Sequence, residues 1–247
     1  MSFLDTNPVF ASNYAIVTGA GSGIGKAIAL ELWNNDYSLI LISLSPIELE
    51  NTKAELKSKA GQQAYIYAAD LSNDKEVEKL FEELSKLQPK IHVLINSIGI
   101  YVKGTSELTT KDMRILFDTN LIAMHNMIHH VLPTMKKIGE GYIINIGSVT
   151  GNLALAGIGG YSASKHAVRG FSDSLSKELA ADGIKVTCIS PSFTNTGFIK
   201  DGAKLTRETM IQTSDIAKTV SYLLSLGKSV SIMDIEINNR TVVANKI

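Results

Sequence analysis

Tyr14-Ala-Ile-Val-Thr-Gly-Ala-Gly-Ser-Gly-Ile-Gly25, running directly into Lys26-Ala-Ile-Ala-Leu-Glu-Leu32, decides the fold of this chain. The short apolar run reads as a strand, the glycines as a tight turn, and the apolar residues that follow recur at helical spacing. Glycines let a backbone approach a phosphate, which the amide groups and the positive end of the following helix then hold. The G-x-G-x-x-G pattern is not met, because the sixth position counted from Gly19 is Ile24. The spacing is instead Thr18-Gly19-x-x-x-Gly23-x-Gly25. Alone, such a turn also suits a flexible loop; its place after a strand and before a helix favours phosphate binding.

Further strand-like runs follow at Ser38–Ser43, Gln63–Ala68, His92–Asn96, Tyr142–Gly147, Lys185–Ser190 and Ser231–Ile237, with helical patterns between them. Alternation of this kind predicts an α/β fold, a doubly wound parallel sheet of about seven strands covered on both faces. Ser45-Pro46-Ile47-Glu48 combines an N-cap serine, a first-turn proline and a glutamate three residues after the cap. Thr109-x-x-Asp112 marks another helix start. No repeat or proline-rich linker interrupts residues 1–247, so a single domain is expected, with its ligand at the carboxyl ends of the strands.

Composition narrows the classes. The 24 basic residues balance 24 acidic ones, which gives no reason to expect nucleic acid or an anionic membrane as partner. No apolar run approaches the roughly 18 residues of a membrane span. The first 25 residues hold an acid and no base, against a secretory leader. The single cysteine, Cys188, excludes an internal disulfide and fits a reducing cytoplasm; its apolar surroundings predict a buried structural thiol. His125 and His129 share a helix face but lack the adjacent glutamate of a zinc hydrolase, and no metal site is expected.

The chemistry sits at Tyr161-Ser-Ala-Ser-Lys165, with Ser148 upstream. A phenol and an ammonium four apart lie on one helix face. A free tyrosine titrates near pH ~10, and a neighbouring cation stabilises the phenolate and lowers that value. Ser148 ends a strand-like run, where its hydroxyl suits stabilising a developing oxyanion or, equally, capping a turn. Asn120 stands in an otherwise helical stretch and would disturb it locally or bind water. Asp70 precedes a helix, whose dipole favours its charge.

Together, the glycine turn, Asp70, Asn96-Ser-Ile-Gly99, Asn120, Ser148, Tyr161/Lys165 and Pro191 through Thr196 resemble the short-chain dehydrogenase/reductase family in its compact single-domain form. The resemblance implies a nicotinamide-dependent oxidoreductase that interconverts a small carbonyl and an alcohol. It gives Tyr161 the proton transfer, Ser148 the substrate oxygen, Lys165 the tyrosine and the nicotinamide ribose, and Asn120 a proton relay to the lysine. It assigns cofactor contacts to Gly19, Ser22, Gly23, Ile24, Gly25, Ser43, Asp70, Leu71, Asn96, Gly99, Tyr161, Lys165, Pro191 and Thr196, with Asp70 at the adenine. Two positions depart from the family's pattern: Ile98 stands for alanine in the cofactor wall, and Ser192 stands for glycine after Pro191.

The cofactor expected is NADP, with NAD as the alternative. NAD-type sites carry an acid about 20 positions beyond the glycine turn, and Ser38 through Ser45 has none; Asp36 and Glu48 lie outside that point. Ser43 and Ser45 offer hydroxyls to a 2′-phosphate, although Leu44 and Ser22 stand where many relatives carry basic residues. The resemblance also implies a homotetramer or homodimer that pairs the helices of Asn120 and Tyr161. Apolar residues in Met124–Met135 and Ala167–Leu179 suit such a face or burial within one subunit. Leu153, Leu155, Phe198, Ile199 and Met210 suit an apolar pocket under a short lid, or packing on one another. The ending Ser231-Ile-Met-Asp-Ile-Glu-Ile-Asn238 resembles the sepiapterin-reductase and hydroxy-amino-acid-dehydrogenase branches more than ketoacyl reductases. Rival readings are an idle dinucleotide-binding regulator and a nucleotide-sugar epimerase, the latter usually needing a larger substrate domain.

Overall fold

The computed structural model describes residues 13–197 and 205–245. Seven parallel strands form one sheet: β1 (Asn13–Thr18), β2 (Ser38–Ser43), β3 (Ala64–Ala68), β4 (Lys90–Asn96), β5 (Gly141–Ile146), β6 (Ile184–Pro191) and β7 (Asp234–Ile237). Their order is β3-β2-β1-β4-β5-β6-β7. The run expected from Ser231 enters the sheet only at Asp234, preceded by a single bond from Cys188 N to Met233 O (2.9 Å).

Strand side chains alternate between two cores, as the period of two demands. Ile16, Ile40, Leu94 and Ile143 face one way, towards α3 (Asp74–Leu87), α5 (Ala123–Ile138) and α6 (Gly159–Leu179). Their successors Val17, Leu41, Ile95 and Ile144 face the other, towards α1 (Gly23–Asn34), α2 (Pro46–Glu55) and α7 (Thr213–Ser225). Both faces are covered, which is why these strands read as near-continuous apolar runs. Met124, Met127, Ile128, Val131 and Met135 of α5 are all buried in the first core, so burial within one subunit accounts for these apolar side chains.

The helix starts follow the local chemistry. Ser45 Oγ accepts from Glu48 N at 3.3 Å with Pro46 in the first turn. Thr109 and Asp112 close a reciprocal capping box on α4 (Thr110–Phe117). The sheet order reverses at β1, with β2 on one side and β4 on the other. The loops leaving β1, β4, β5 and β6 gather at this switch point, the ligand position of such folds.

Candidate active site

The glycine turn is held by contacts that only glycine permits. Gly19 has φ +65°, and a methyl group there would lie 2.9 Å from Ser97 O. A methyl on Gly25 would lie 2.2 Å from Gly19 O, so α1 starts hard against its own turn. Thr18 Oγ1 accepts from Ser97 N at 3.0 Å and ties this turn to the loop after β4. Ser22 takes the N-cap position in extended conformation without a side-chain cap bond. The first-turn amides of Gly23, Ile24 and Gly25 therefore suit an incoming anion. Thr196 lies across the turn, its methyl 3.4 Å from where a Gly23 side chain would begin. An open cavity of about 340 Å³ runs beside them, lined by Gly23, Lys26, Thr196 and Arg207 among others. A pyrophosphate fits this set of donors and space.

Beyond β3, Asp70 Oδ1 accepts from Ser72 N (2.9 Å) and Ser72 Oγ (2.7 Å). Asp70 thus orders the chain ahead of α3, whose N-cap is Asn73. The side chain of Leu71 is in the core, so only its backbone is left for the ligand contact expected of it. Ser43 closes β2. Glu48, which by sequence lies beyond the end of that strand, is brought back to it: a methyl on Gly21 would lie 2.8 Å from Glu48 Oε2 and 3.2 Å from Ser43 Oγ. Asp36 pairs with Lys59 at 2.9 Å.

Asn96 Nδ2 donates to Asn145 Oδ1 (2.9 Å) across the β4–β5 register, and Asn145 Nδ2 donates to Ser172 Oγ (2.9 Å). Asn96 Oδ1 is buried without a partner and borders a small void of about 10 Å³, close to the size of one water, alongside Thr18, Ile98 and Asn120. Ile98 packs against the core beneath this void. Beyond it, a methyl on Gly99 would lie 3.4 Å from both Asn120 Oδ1 and Lys165 Nζ, so glycine leaves these two groups facing one gap. Pro191 ends β6, and Ser192 N donates to Ile237 O (2.8 Å).

Asn120 is buried at the centre of a wide, π-helical turn, Asp118–Ile122, between α4 and α5. Its Oδ1 accepts from Ile100 N (2.7 Å), while its Nδ2 donates to Ile100 O (3.1 Å) and Ser164 Oγ (2.9 Å). The helix is thus disturbed locally at Asn120, as a polar amide in a helical stretch suggested. Ser164 Oγ donates in turn to Tyr161 O at 2.8 Å. Ser148 caps the short 3-10 turn Val149–Gly151, accepting from Thr150 N (3.2 Å), and also hydrogen-bonds the side chain of Tyr161. The turn-capping reading of Ser148 is thus met. Lys165 Nζ is buried, donates to Ile146 O (3.0 Å) and lies 5.9 Å from the Tyr161 ring centroid. Tyr101 stands edge-on to Tyr161 with 5.4 Å between centroids.

The electrostatics differ from the simple cation–phenol picture. Burial raises the Tyr161 phenol above its ordinary value; the Ser148 bond opposes this and Tyr101 adds to it. The lowering expected from Lys165 is not among these causes, because the ammonium is turned to the Ile146 carbonyl. Burial instead lowers Lys165 itself to about 8. Cys188 is buried, with its thiol pushed up by burial, as its apolar run indicated.

Of the residues that sequence reasoning grouped, the structure joins Ser148 to Tyr161, sets Lys165 Nζ 5.9 Å from that ring, and brings Asn120 and Lys165 to the loop after β4 that also meets the glycine turn. Sequence reasoning missed Asn145, Ser164 and Tyr101, and gave Thr18 only as the head of the glycine motif. A lone amide in the apolar run Tyr142-Ile-Ile-Asn145-Ile marks Asn145 in retrospect; Tyr101 and Ser164 carry no signal beyond their neighbours. Leu153 and Leu155 are exposed, and Phe198 and Ile199 lie outside the described residues. The loops that hold Tyr101 and Leu155 meet through Gly104 N to Gly157 O at 2.7 Å.

The family model described as short chain dehydrogenase matches residues 13–207. The chain is 32% identical to estradiol 17-beta-dehydrogenase 11 of Macaca fascicularis over 77% of its length, spanning 65% of that protein. It is 30% identical to an uncharacterized oxidoreductase of Staphylococcus aureus, covering 93% of this chain and 98% of that one. Among solved structures, ElxO with NADP bound superposes with a TM-score of 0.83 at 25% identity, over 94% of this chain and 99% of that one. Matching fold, motif positions and family model agree: the chain belongs to the short chain dehydrogenase family.

Proposed function

We propose that this chain is a nicotinamide dinucleotide-dependent oxidoreductase that interconverts a carbonyl and an alcohol, with NADP as its cofactor. The observation that carries this reading is the hydrogen bond joining Ser148 to the Tyr161 phenol, with Lys165 in the next turn, beside a glycine turn whose helix has no side-chain cap. The dinucleotide supplies or accepts the hydride. Ser148 holds the carbonyl oxygen, and Tyr161 delivers a proton to it during reduction or takes one during oxidation. Lys165, fixed by Ile146 O one turn from that phenol, donates to the nicotinamide ribose. Asn120 holds the Ile100 backbone and Ser164, and so fixes the walls on either side of the lysine. NADP is favoured by the absence of an acid from β2 itself and by the NADP-bound ElxO structure.

The single buried cysteine suits a reducing cytoplasm. Among the described residues no helix is long and apolar enough to cross a membrane. A homodimer or homotetramer is proposed through the outer faces of α5, α6 and the π-helical turn before α5, where Ile122 is 38% exposed and His125 stands edge-on to Phe171 at 5.6 Å. Sedimentation at micromolar concentration tests this, and a monomer contradicts it.

The activity is tested by mixing the purified chain with each dinucleotide and a panel of aldehydes, ketones and alcohols, and following nicotinamide absorbance. Turnover of at least one carbonyl/alcohol pair is expected. Failure to bind either dinucleotide in calorimetry would contradict the reading.

A further inference from the structure

A carboxylate reaches the corner between the glycine turn and the end of β2, where the strand itself supplies none. It comes from α2. The Ser45 cap and Pro46 place Glu48 in the first turn of that helix. The helix is tied back onto the glycine turn, since Thr52 Oγ1 donates to Ala20 O at 3.0 Å. Glu48 then lies across Gly21: a methyl group on Gly21 would be 2.7 Å from Glu48 Cβ, 2.8 Å from its Oε2 and 3.2 Å from Ser43 Oγ. Any larger residue at position 21 displaces this side chain. Glu48 is exposed on its outer side, so its carboxylate has room to turn towards solvent.

In dinucleotide folds the second strand's end governs the adenosine ribose: an acid there accepts from the free hydroxyls, and a cation accommodates a 2′-phosphate. Resting on the proposed dinucleotide reading, we infer that Glu48 sets the choice between NAD and NADP. In the conformation observed, its carboxylate accepts hydrogen bonds from ribose hydroxyls, as an acid on the strand would. A 2′-phosphate brings negative charge against that carboxylate, and NADP binds only as Glu48 turns outward. The chain thus accepts both dinucleotides, and Glu48 narrows its preference for the phosphorylated one.

Dissociation constants for NAD and NADP, measured by calorimetry on the whole chain, test this in the parent, Glu48→Gln and Glu50→Gln. Glutamine keeps the length and the helix position of Glu48, and thermal melting checks that each variant is folded. Glu50 is exposed two residues along α2, where it does not share a face with Glu48. In Glu48→Gln the ratio Kd(NADP)/Kd(NAD) is expected to fall about tenfold or more, with NADP tighter and NAD weaker. Glu50→Gln should leave the ratio as in the parent. An unchanged ratio in Glu48→Gln, or the same fall in both variants, overturns the role of Glu48. A parent that binds neither dinucleotide overturns the functional reading beneath it.

Discussion

The Asn120 side chain and the Ile100 backbone pair in both directions, with Oδ1 accepting at 2.7 Å and Nδ2 donating at 3.1 Å. One amide thereby satisfies both polar groups of a residue in the loop after β4, and its widened helical turn exists to point it there. Asn120→Ala leaves the part-buried Ile100 groups and Ser164 short of partners. A loss of about 2–3 kcal/mol is expected in denaturant unfolding, with turnover falling more steeply than dinucleotide affinity. Parental stability in this variant would show that the pairing is dispensable.

Two glycine substitutions should act in opposite directions. A methyl on Gly25 meets Gly19 O at 2.2 Å and Gly19 C at 2.7 Å, both backbone atoms that cannot yield cheaply. Gly25→Ala is expected to cost about 3 kcal/mol or more and to abolish dinucleotide binding. Gly170 lies exposed within α6 with nothing within 4 Å of its added methyl. Gly170→Ala should stabilise by about 0.5–1 kcal/mol. Thermal melts and calorimetry on the two variants measure both.

Lys165 links stability to pH. Its folded value of about 8 lies below the usual 10.5. Between those values the folded chain binds fewer protons than the unfolded one, so the lysine's contribution rises with pH across that window and is level below it. The stability difference between parent and Lys165→Met should therefore climb by on the order of 3 kcal/mol from pH 8 to 10.5. A difference that stays level over this range would mean that the lysine is not desolvated.

The seven strands were legible because both sheet faces are buried, so each strand reads as a bounded apolar run such as Leu39–Ile42. Helix starts at Ser45 and Thr109 were legible through their caps. What escaped was long-range. Glu48 is an ordinary first-turn acid until Thr52 ties α2 to Ala20 and brings the carboxylate over Gly21. The burial of Asn120 depends on Ile100, twenty residues earlier, and no local pattern records that pairing. The apolar face of α5 fitted two partners, and only packing against β4 and its neighbours decided for the core. The raised phenol of Tyr161 likewise depends on burial and on where Lys165 Nζ points, neither of which residue spacing contains.

The central claim is that the Tyr161 hydroxyl moves the proton, and the direct measurement is steady-state turnover by Tyr161→Phe beside its dinucleotide affinity. Phenylalanine keeps the ring against Tyr101 and removes only the oxygen bonded to Ser148. The account predicts an unchanged melting temperature to within about 2 °C, dinucleotide affinity within about threefold of the parent, and kcat lower by about 100-fold or more. Parental kcat in a folded, dinucleotide-binding Tyr161→Phe would contradict it.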